Sequence, residues 1–249
     1  KIDVDGYRNY GFVVNSDSNK SVFSSTTTDD LQQSIDKLNY GIGINEGNIG
    51  VSGLESIGFV LLKGGNSKNK GNITVNEDSF FWPSTTSTEY RQNSVGFYGE
   101  QDKFTNEGTI AVNTPNRIGN KAILLKGNAT GITFDNKGDI SVSGKNNIGV
   151  YAEGKYTFNH EKNAAGNNKI SVGSNAIGIY AKDNTGNINI KAPIELADSN
   201  GGTTIGVYSD GNANVKFEDD SKLIVGKKAV GLFSQLTANF KNTFQFNNT

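Results

Sequence analysis

Apolar and polar residues alternate in short runs along most of this chain. Ile73-Thr74-Val75, Ile110-Ala111-Val112, Ile140-Ser141-Val142 and Ile170-Ser171-Val172 share the form Ile-x-Val, with Leu223-Ile224-Val225 as a variant. Alternation at period two buries one face of an extended strand and leaves the other to polar side chains. Ahead of these runs stands the phrase Asn-x-Gly-x-Ile, intact from Asn45, Asn69, Asn106, Asn136 and Asn184. Its Asn and Gly are expected to supply the left-handed backbone of a tight turn.

A second apolar phrase recurs between them. It reads Ile148-Gly149-Val150-Tyr151-Ala152, Ile177-Gly178-Ile179-Tyr180-Ala181, Ile205-Gly206-Val207-Tyr208-Ser209 and Val230-Gly231-Leu232-Phe233-Ser234, with looser copies around Gly58, Gly96 and Ala122. A third, weaker run follows it, as in Ile132-Thr133-Phe134, Tyr156-Thr157-Phe158 and Val215-Lys216-Phe217. From Gly96 through Ala122 to Gly231 the anchors fall 26, 27, 29, 28 and 25 residues apart. A repeat of this length holding three short strands cannot bury its own apolar face and must stack on its neighbours. The fold class predicted is all-β: a parallel β-helix solenoid with three short strands per coil, running through residues 1–249. No helical crossovers lie between the strands, which excludes the doubly wound and barrel architectures. Around Asn184 the turn phrase comes early, with Asn187-Ile188-Asn189-Ile190 and then Ile194-Glu195-Leu196 completing that coil. Before Gly58 the copies crowd together, which predicts shortened coils or merged strands.

Two segments break the rhythm. Over about 26–39, Leu31, Ile35 and Leu38 share one helical face behind Thr and Asp residues suited to capping, which predicts a short helix laid against a coil. Over 76–92, an insertion carrying Phe80, Phe81 and Trp82 and ending near Tyr90 lengthens its repeat to 38 residues between Gly58 and Gly96. These aromatics either fold back over the solenoid or form a protruding contact loop, since insertions in repeat folds become loops and aromatics anchor interfaces and sugar faces.

The aromatics of the repeat call for the same comparison. With Ile148, Val150 and Ala152 facing the core, Gly149 and Tyr151 face outward. Stacking then aligns Tyr98, Tyr151, Tyr180, Tyr208 and Phe233 into a ladder, with Gly96, Gly149, Gly178, Gly206 and Gly231 leaving room for neighbouring rings. Val60 and Leu124 occupy the same place in other copies, so packing is the favoured role, with a sugar-stacking platform as the functional alternative. The Asn residues of the turn phrase are expected to stack as an amide ladder.

Composition narrows the function. The chain has 31 Gly, no Cys, one His and a formal net charge of -1. Absence of Cys excludes a disulfide scaffold and thiol chemistry and is compatible with export through an oxidising compartment. Without a basic stripe neither nucleic acid nor an anionic membrane surface is an expected partner. No run approaches the ~18 apolar residues of a membrane span. The chain starts and stops inside the pattern, as a piece of a longer solenoid would.

Catalytic chemistry is poorly supported. His160 reads as an exposed loop residue, and no Gly-x-Ser-x-Gly turn occurs. The acidic pairs that polysaccharide cleavage would need are Glu218-Asp219-Asp220 and Asp29-Asp30, and both have structural readings as turn and helix cap. Asp3-Val4-Asp5-Gly6 lacks the remaining spacing of a calcium loop. The expectation is no enzyme activity, no metal and no cofactor.

The Ile-Gly-Val-Tyr-Ala and Asn-x-Gly-x-Ile-x-Val phrases, from Tyr40 to Phe246, resemble the passenger domains of the large fusobacterial autotransporter adhesins. The resemblance implies an extracellular segment anchored through an outer-membrane barrel elsewhere in the parent protein. It also implies attachment to host cells or other bacteria through a glycoprotein or glycan receptor. Trimeric autotransporter heads have about half this period, so a monomer is expected. A purely structural stalk and a β-helix polysaccharide-cleaving enzyme are the competing readings.

Overall fold

The computed structural model describes residues 1–15, 43–63, 65–77, 90–182, 186–199, 201–210, 213–218, 221–235 and 243–246. Among them every regular element is a strand, and every strand pair is parallel. Each coil contributes three strands, one to each of three faces. The first face carries the Ile-x-Val strands, from Ile2–Val4 and Asn48–Val51 through Asp139–Ser143 and Ile170–Val172 to Leu223–Ile224. The second carries the Gly-containing phrase, from Tyr10–Asn15 through Ile177–Lys182 to Val230–Gln235. The third runs from Ile44–Asn45 through Asp102–Asn106 and Asn187–Ile190 to Thr243–Phe246. Eight coils stacked at the usual strand spacing of about 4.8 Å give a pile roughly 35 Å long.

Register follows the sequence phrases residue for residue. Ile140 pairs with Ile110 on one side and Ile170 on the other, and Val142 with Val112 and Val172. All six are buried. The coil around Asn184 is arranged as its pattern predicts, with Asn187–Ile190 on the third face and Ile194–Leu196 on the first. In the fourth and fifth coils the second and third strands run together as Lys121–Asn136 and Ile148–His160, with a register shift between Gly127 and Ile132.

The core changes character along the stack. In the first five coils Phe12, Phe59 and Phe97 on the second face meet Phe104, Phe134 and Phe158 on the third, with neighbouring centroids 4.0–5.8 Å apart. Beyond them the same columns hold Ile179, Val207, Ile188 and Val215. Among the described residues the exposed large hydrophobics are Tyr7, Tyr10 and Ile44 in and beside the first coil and Ile224, Val225 and Phe233 in the eighth.

Four expectations need correction. The first coils are neither shortened nor merged: Ile44–Asn45 closes the first coil, and Asn48–Val51 opens the second. Tyr10-Gly11-Phe12-Val13-Val14 is an earlier copy of the second phrase, set apart from the next by the long first insertion. The left-handed backbone lies at a different corner from the Asn-x-Gly phrase. It recurs between the first and second faces, at Glu55, Asn93, Gly119, Asn146, Asn175 and Lys228, with φ from +50° to +83°, and more sparsely at Asp102, Gly131, Gly154 and Gly166 elsewhere, but at no described Asn or Gly of an intact Asn-x-Gly phrase. At the Asn-x-Gly corner glycine answers a close approach instead: a Cβ on Gly108 would lie 1.9 Å from the Gly71 carbonyl oxygen.

The fourth correction concerns the glycines of the repeat, which face inward. Gly149 and Gly178 are buried, while Ile148 and Ile177 beside them are partly exposed. A Cβ on Gly178 would lie 2.6 Å from the Gly206 carbonyl oxygen and 2.8 Å from Val172 Cγ2 of the first face. The glycines let two faces of the coil close together and have no part in making room for rings. The helix expected at 26–39 lies outside the described residues.

Candidate functional site

The 76–92 insertion leaves the solenoid after the first-face strand of the third coil, Asn72–Asn76, and returns at Val95–Gly99. Phe80, Phe81 and Trp82 lie outside the described residues. At the base, Tyr90–Arg91 pairs with Arg117–Ile118 in a separate two-stranded sheet. Buried Gln92 donates from Nε2 to the Asn76 carbonyl at 2.8 Å, and Asn116 donates to the Glu77 carboxylate at 3.2 Å. The entry and exit of the insertion are thereby held together by the scaffold itself.

The aromatic ladder exists on the outside of the second face. Tyr151 stacks on Tyr180 with centroids 5.3 Å apart, Tyr180 on Tyr208 at 4.7 Å and Tyr208 on Phe233 at 5.0 Å; interplanar angles are 5°, 5° and 22°. Tyr98 shares the column but not the stack, because Leu124 stands between it and Tyr151. The hydroxyls find partners in the next column: Tyr98 donates to Glu100 at 2.5 Å, Tyr151 to Glu153 at 3.2 Å, Tyr180 to Asp210 at 3.4 Å, and Tyr208 to Gln235. Burial, with the neighbouring carboxylates, raises the Tyr98 and Tyr151 pKa values above the ordinary phenol value. That neighbouring column alternates in sign, Lys126, Glu153, Lys182, Asp210, with Lys182 and Glu153 3.7 Å apart.

This geometry bears on the sugar-platform alternative. A sugar stacks on the face of an aromatic ring. Here each inner ring has both faces covered by its neighbours and shows solvent only its edge. The ladder is a packing device, worth about 0.5–1.5 kcal/mol per ring pair beyond burial.

The amide ladder also forms, and it ends on the one histidine. Nδ2 of Asn45 donates to Asn69 Oδ1 at 2.6 Å, Asn69 to Asn106 at 2.7 Å, and Asn106 to Asn136 at 2.6 Å. Asn136 Nδ2 then donates to Nδ1 of His160 at 2.9 Å. Each Asn also donates to the carbonyl two residues on, at 2.8–3.1 Å. His160 is fully buried at the end of its strand, so the exposed-loop expectation is overturned. Its Nε2 meets the Pro193 carbonyl at 3.2 Å. Since Asn136 Nδ2 can only donate and the carbonyl can only accept, the ring is neutral with its proton on Nε2. Burial lowers its pKa to about 4, against the backbone of Pro193 and Asn136 and the charge of Asp139, which raise it.

A second buried polar column went unrecognised in the sequence. At the corner after the left-handed residue, Asn9 N–H donates to Ser56 Oγ, Ser56 N–H to Ser94 Oγ, Ser94 N–H to Asn120 Oδ1 and Asn120 N–H to Asn147 Oδ1, at 2.8–3.2 Å. The only signal was a Ser or Asn two residues before Gly11, Gly58, Gly96, Ala122 and Gly149, absent before Gly178, Gly206 and Gly231, which composition alone would often produce in so polar a chain.

Of the acidic candidates for cleavage the structure describes Glu218 alone. Asp29, Asp30, Asp219 and Asp220 lie outside the described residues, and Glu218 stands 3.6 Å from Lys191 and 3.5 Å from Lys216. Asp3 pairs with Lys1 at 3.2 Å, and Asp5 accepts the Gly6 N–H at 2.8 Å. Among the described residues no three His, Asp or Glu side chains form a group able to hold a metal ion, and no helix is long and apolar enough to cross a membrane. Comparison of the chain with family models, with curated proteins and with solved structures found no match.

Proposed function

We propose that this chain is an extracellular segment of an autotransporter adhesin passenger, attaching its cell to host cells or to other bacteria through a glycoprotein or glycan receptor. The observation that carries the reading is the placement of the two long departures from the coil. One follows Tyr10–Asn15 in the first coil and the other follows Asn72–Asn76 in the third, while the later coils continue without comparable interruption. A rigid stack interrupted by long insertions suits display of a contact surface, because recognition concentrates on loops positioned by a rigid scaffold. The resemblance of the repeat phrases to fusobacterial adhesins supports the same reading.

A glycan array probed with the chain, together with attachment to immobilised bacterial and host cells, tests it. Specific retention that is lost when residues 78–89 are replaced by a short Gly-containing turn supports adhesion through the insertion. No retention on any surface favours the stalk reading, to which the stacked aromatic ladder of the later coils also lends itself. Cleavage of a polysaccharide that depends on Asp219 or Asp220 would replace both with the enzyme reading.

A further inference from the structure

The amide ladder crosses four coils and then meets a titratable ring. Asn45, Asn69, Asn106 and Asn136 are joined in one direction, each Oδ1 after the first accepting from the coil before and each Nδ2 donating to the coil after. Above His160 the column turns apolar, through Ile190 to Phe217. His160 therefore joins the amide-laddered half of the stack to the apolar half: Nδ1 takes the last ladder proton, Nε2 reaches the sixth coil at Pro193, and its backbone carbonyl accepts from Lys191 and Ala192.

We propose that His160 is an acid-sensitive latch between the fifth and sixth coils, closed while the ring is neutral and opened when Nδ1 takes a proton. The reason is one of donors and acceptors. A proton on Nδ1 sets N–H against the N–H of Asn136, which cannot reverse without breaking its bond to Asn106 and its bond to the Gly138 carbonyl. The cost is the loss of the Asn136 bond and the burial of a cation. The backbone of Pro193 and of Asn136, and Asp139 on the adjoining first-face strand, favour that cation, but burial prevails and keeps the pKa near 4. The other charges around the junction are paired among themselves: Lys191 with Glu161 at 3.1 Å and with Glu218 at 3.6 Å, and Lys169 with Glu195 at 2.5 Å. Lys137 follows Asn136 on the fourth coil and Lys162 follows Glu161 on the fifth. An asparagine ladder continued at this position would have no such dependence on pH.

The sign follows from linkage. A neutral buried ring with its pKa lowered toward 4 makes the closed state fully favoured above the ordinary histidine value of about 6.5, and that preference is lost as pH falls toward 4. Between pH 7.5 and 4.5 the opening equilibrium at the latch should rise on the order of 50-fold. Two measurements on the intact chain decide it. As the sole histidine, His160 gives one imidazole signal in an NMR titration. The proposal requires an apparent pKa well below 6.5 with the Nε2–H tautomer; titration near 6.5, or the Nδ1–H tautomer, overturns it. Hydrogen exchange corrected for intrinsic rates should show the rise concentrated in Ile148–His160 and Asn187–Ile190, and absent in His160→Asn. An equal rise in His160→Asn, or one spread evenly over all coils, assigns the effect to carboxylates and overturns the latch. Should His160→Asn fail to fold, the ring titration and the distribution of exchange along the wild-type coils decide the matter.

Discussion

Tyr180 and Tyr208 lie face to face, with centroids 4.7 Å apart and planes within 5° of parallel. Each closes off the ring surface that a sugar would need from the other, so the most regular aromatic feature of the chain serves cohesion between coils. Replacing Tyr180 with Ala removes two stacking contacts and part of the outer cover of the second face. It should lower stability by about 1–3 kcal/mol. Thermal melting with a glycan array alongside is the check: an earlier melt with unchanged binding is expected, and loss of sugar binding in a variant that melts normally would restore the platform reading.

The column holding Gly178 also holds Ala122, which is fully buried. One methyl is therefore tolerable where the coil can give by a few tenths of an ångström. At Gly178 the new Cβ would meet a backbone carbonyl at 2.6 Å and Val172 at 2.8 Å. Gly178→Ala should cost about 1–3 kcal/mol, as overpacking typically does. Gly178→Val should cost more. Chemical denaturation of the pair would show whether backbone proximity sets the preference, since equal stabilities would refute it.

Asn106 donates twice and accepts once at a position with no solvent exposure. Asn106→Ala leaves the Asn69 amide and the Asn136 and Gly108 oxygens short of partners, and about 2–4 kcal/mol should be lost. Asn106→Asp is expected to be worse, because an ionised carboxylate donates to neither partner and carries a buried charge. Urea titrations at neutral pH measure the order, and an aspartate variant as stable as the wild type would show that the ladder is not closed in solution.

Deleting the body of the second insertion, residues 78–89, should leave the melting temperature nearly unchanged. Gln92 bridges the two ends at the Asn76 carbonyl, Tyr90–Arg91 is held by Arg117–Ile118, and closure entropy varies by only ~0.6 kcal/mol per doubling of loop length. A marked drop in melting temperature with binding intact would instead mean that Phe80, Phe81 or Trp82 covers the scaffold.

Ile140 sits between Ile110 and Ile170 with no exposure to solvent. An aspartate there has no partner, and Ile140→Asp should cost several kcal/mol, roughly 4 or more, enough to lose cooperative unfolding of the middle coils. Calorimetry of the variant measures it.

How much of the fold is legible in the sequence follows from which interactions repeat in the chain. Ile140 and Val142 announce a half-buried strand because their alternation is local and recurs in every coil, and the spacing from Gly96 to Gly231 turns that recurrence into a stack. Tyr151, Tyr180 and Tyr208 fell into register for the same reason. What the pattern could not express was direction and contact between coils. Gly178 looks like a gap left for a ring until the Gly206 carbonyl is seen against it, and Asn45 and Gly47 look like turn formers although the left-handed residue is Glu55 at another corner. His160 is the clearest case. Within Phe158-Asn159-His160-Glu161-Lys162 it has the company of a surface loop residue, yet stacking places it directly above Asn136, 24 residues earlier, where an amide donor and a carbonyl acceptor specify its protonation. Local periodicity is written within a few residues of chain, whereas hydrogen-bond satisfaction in a solenoid is arranged across coils, between residues that the sequence holds a full turn apart.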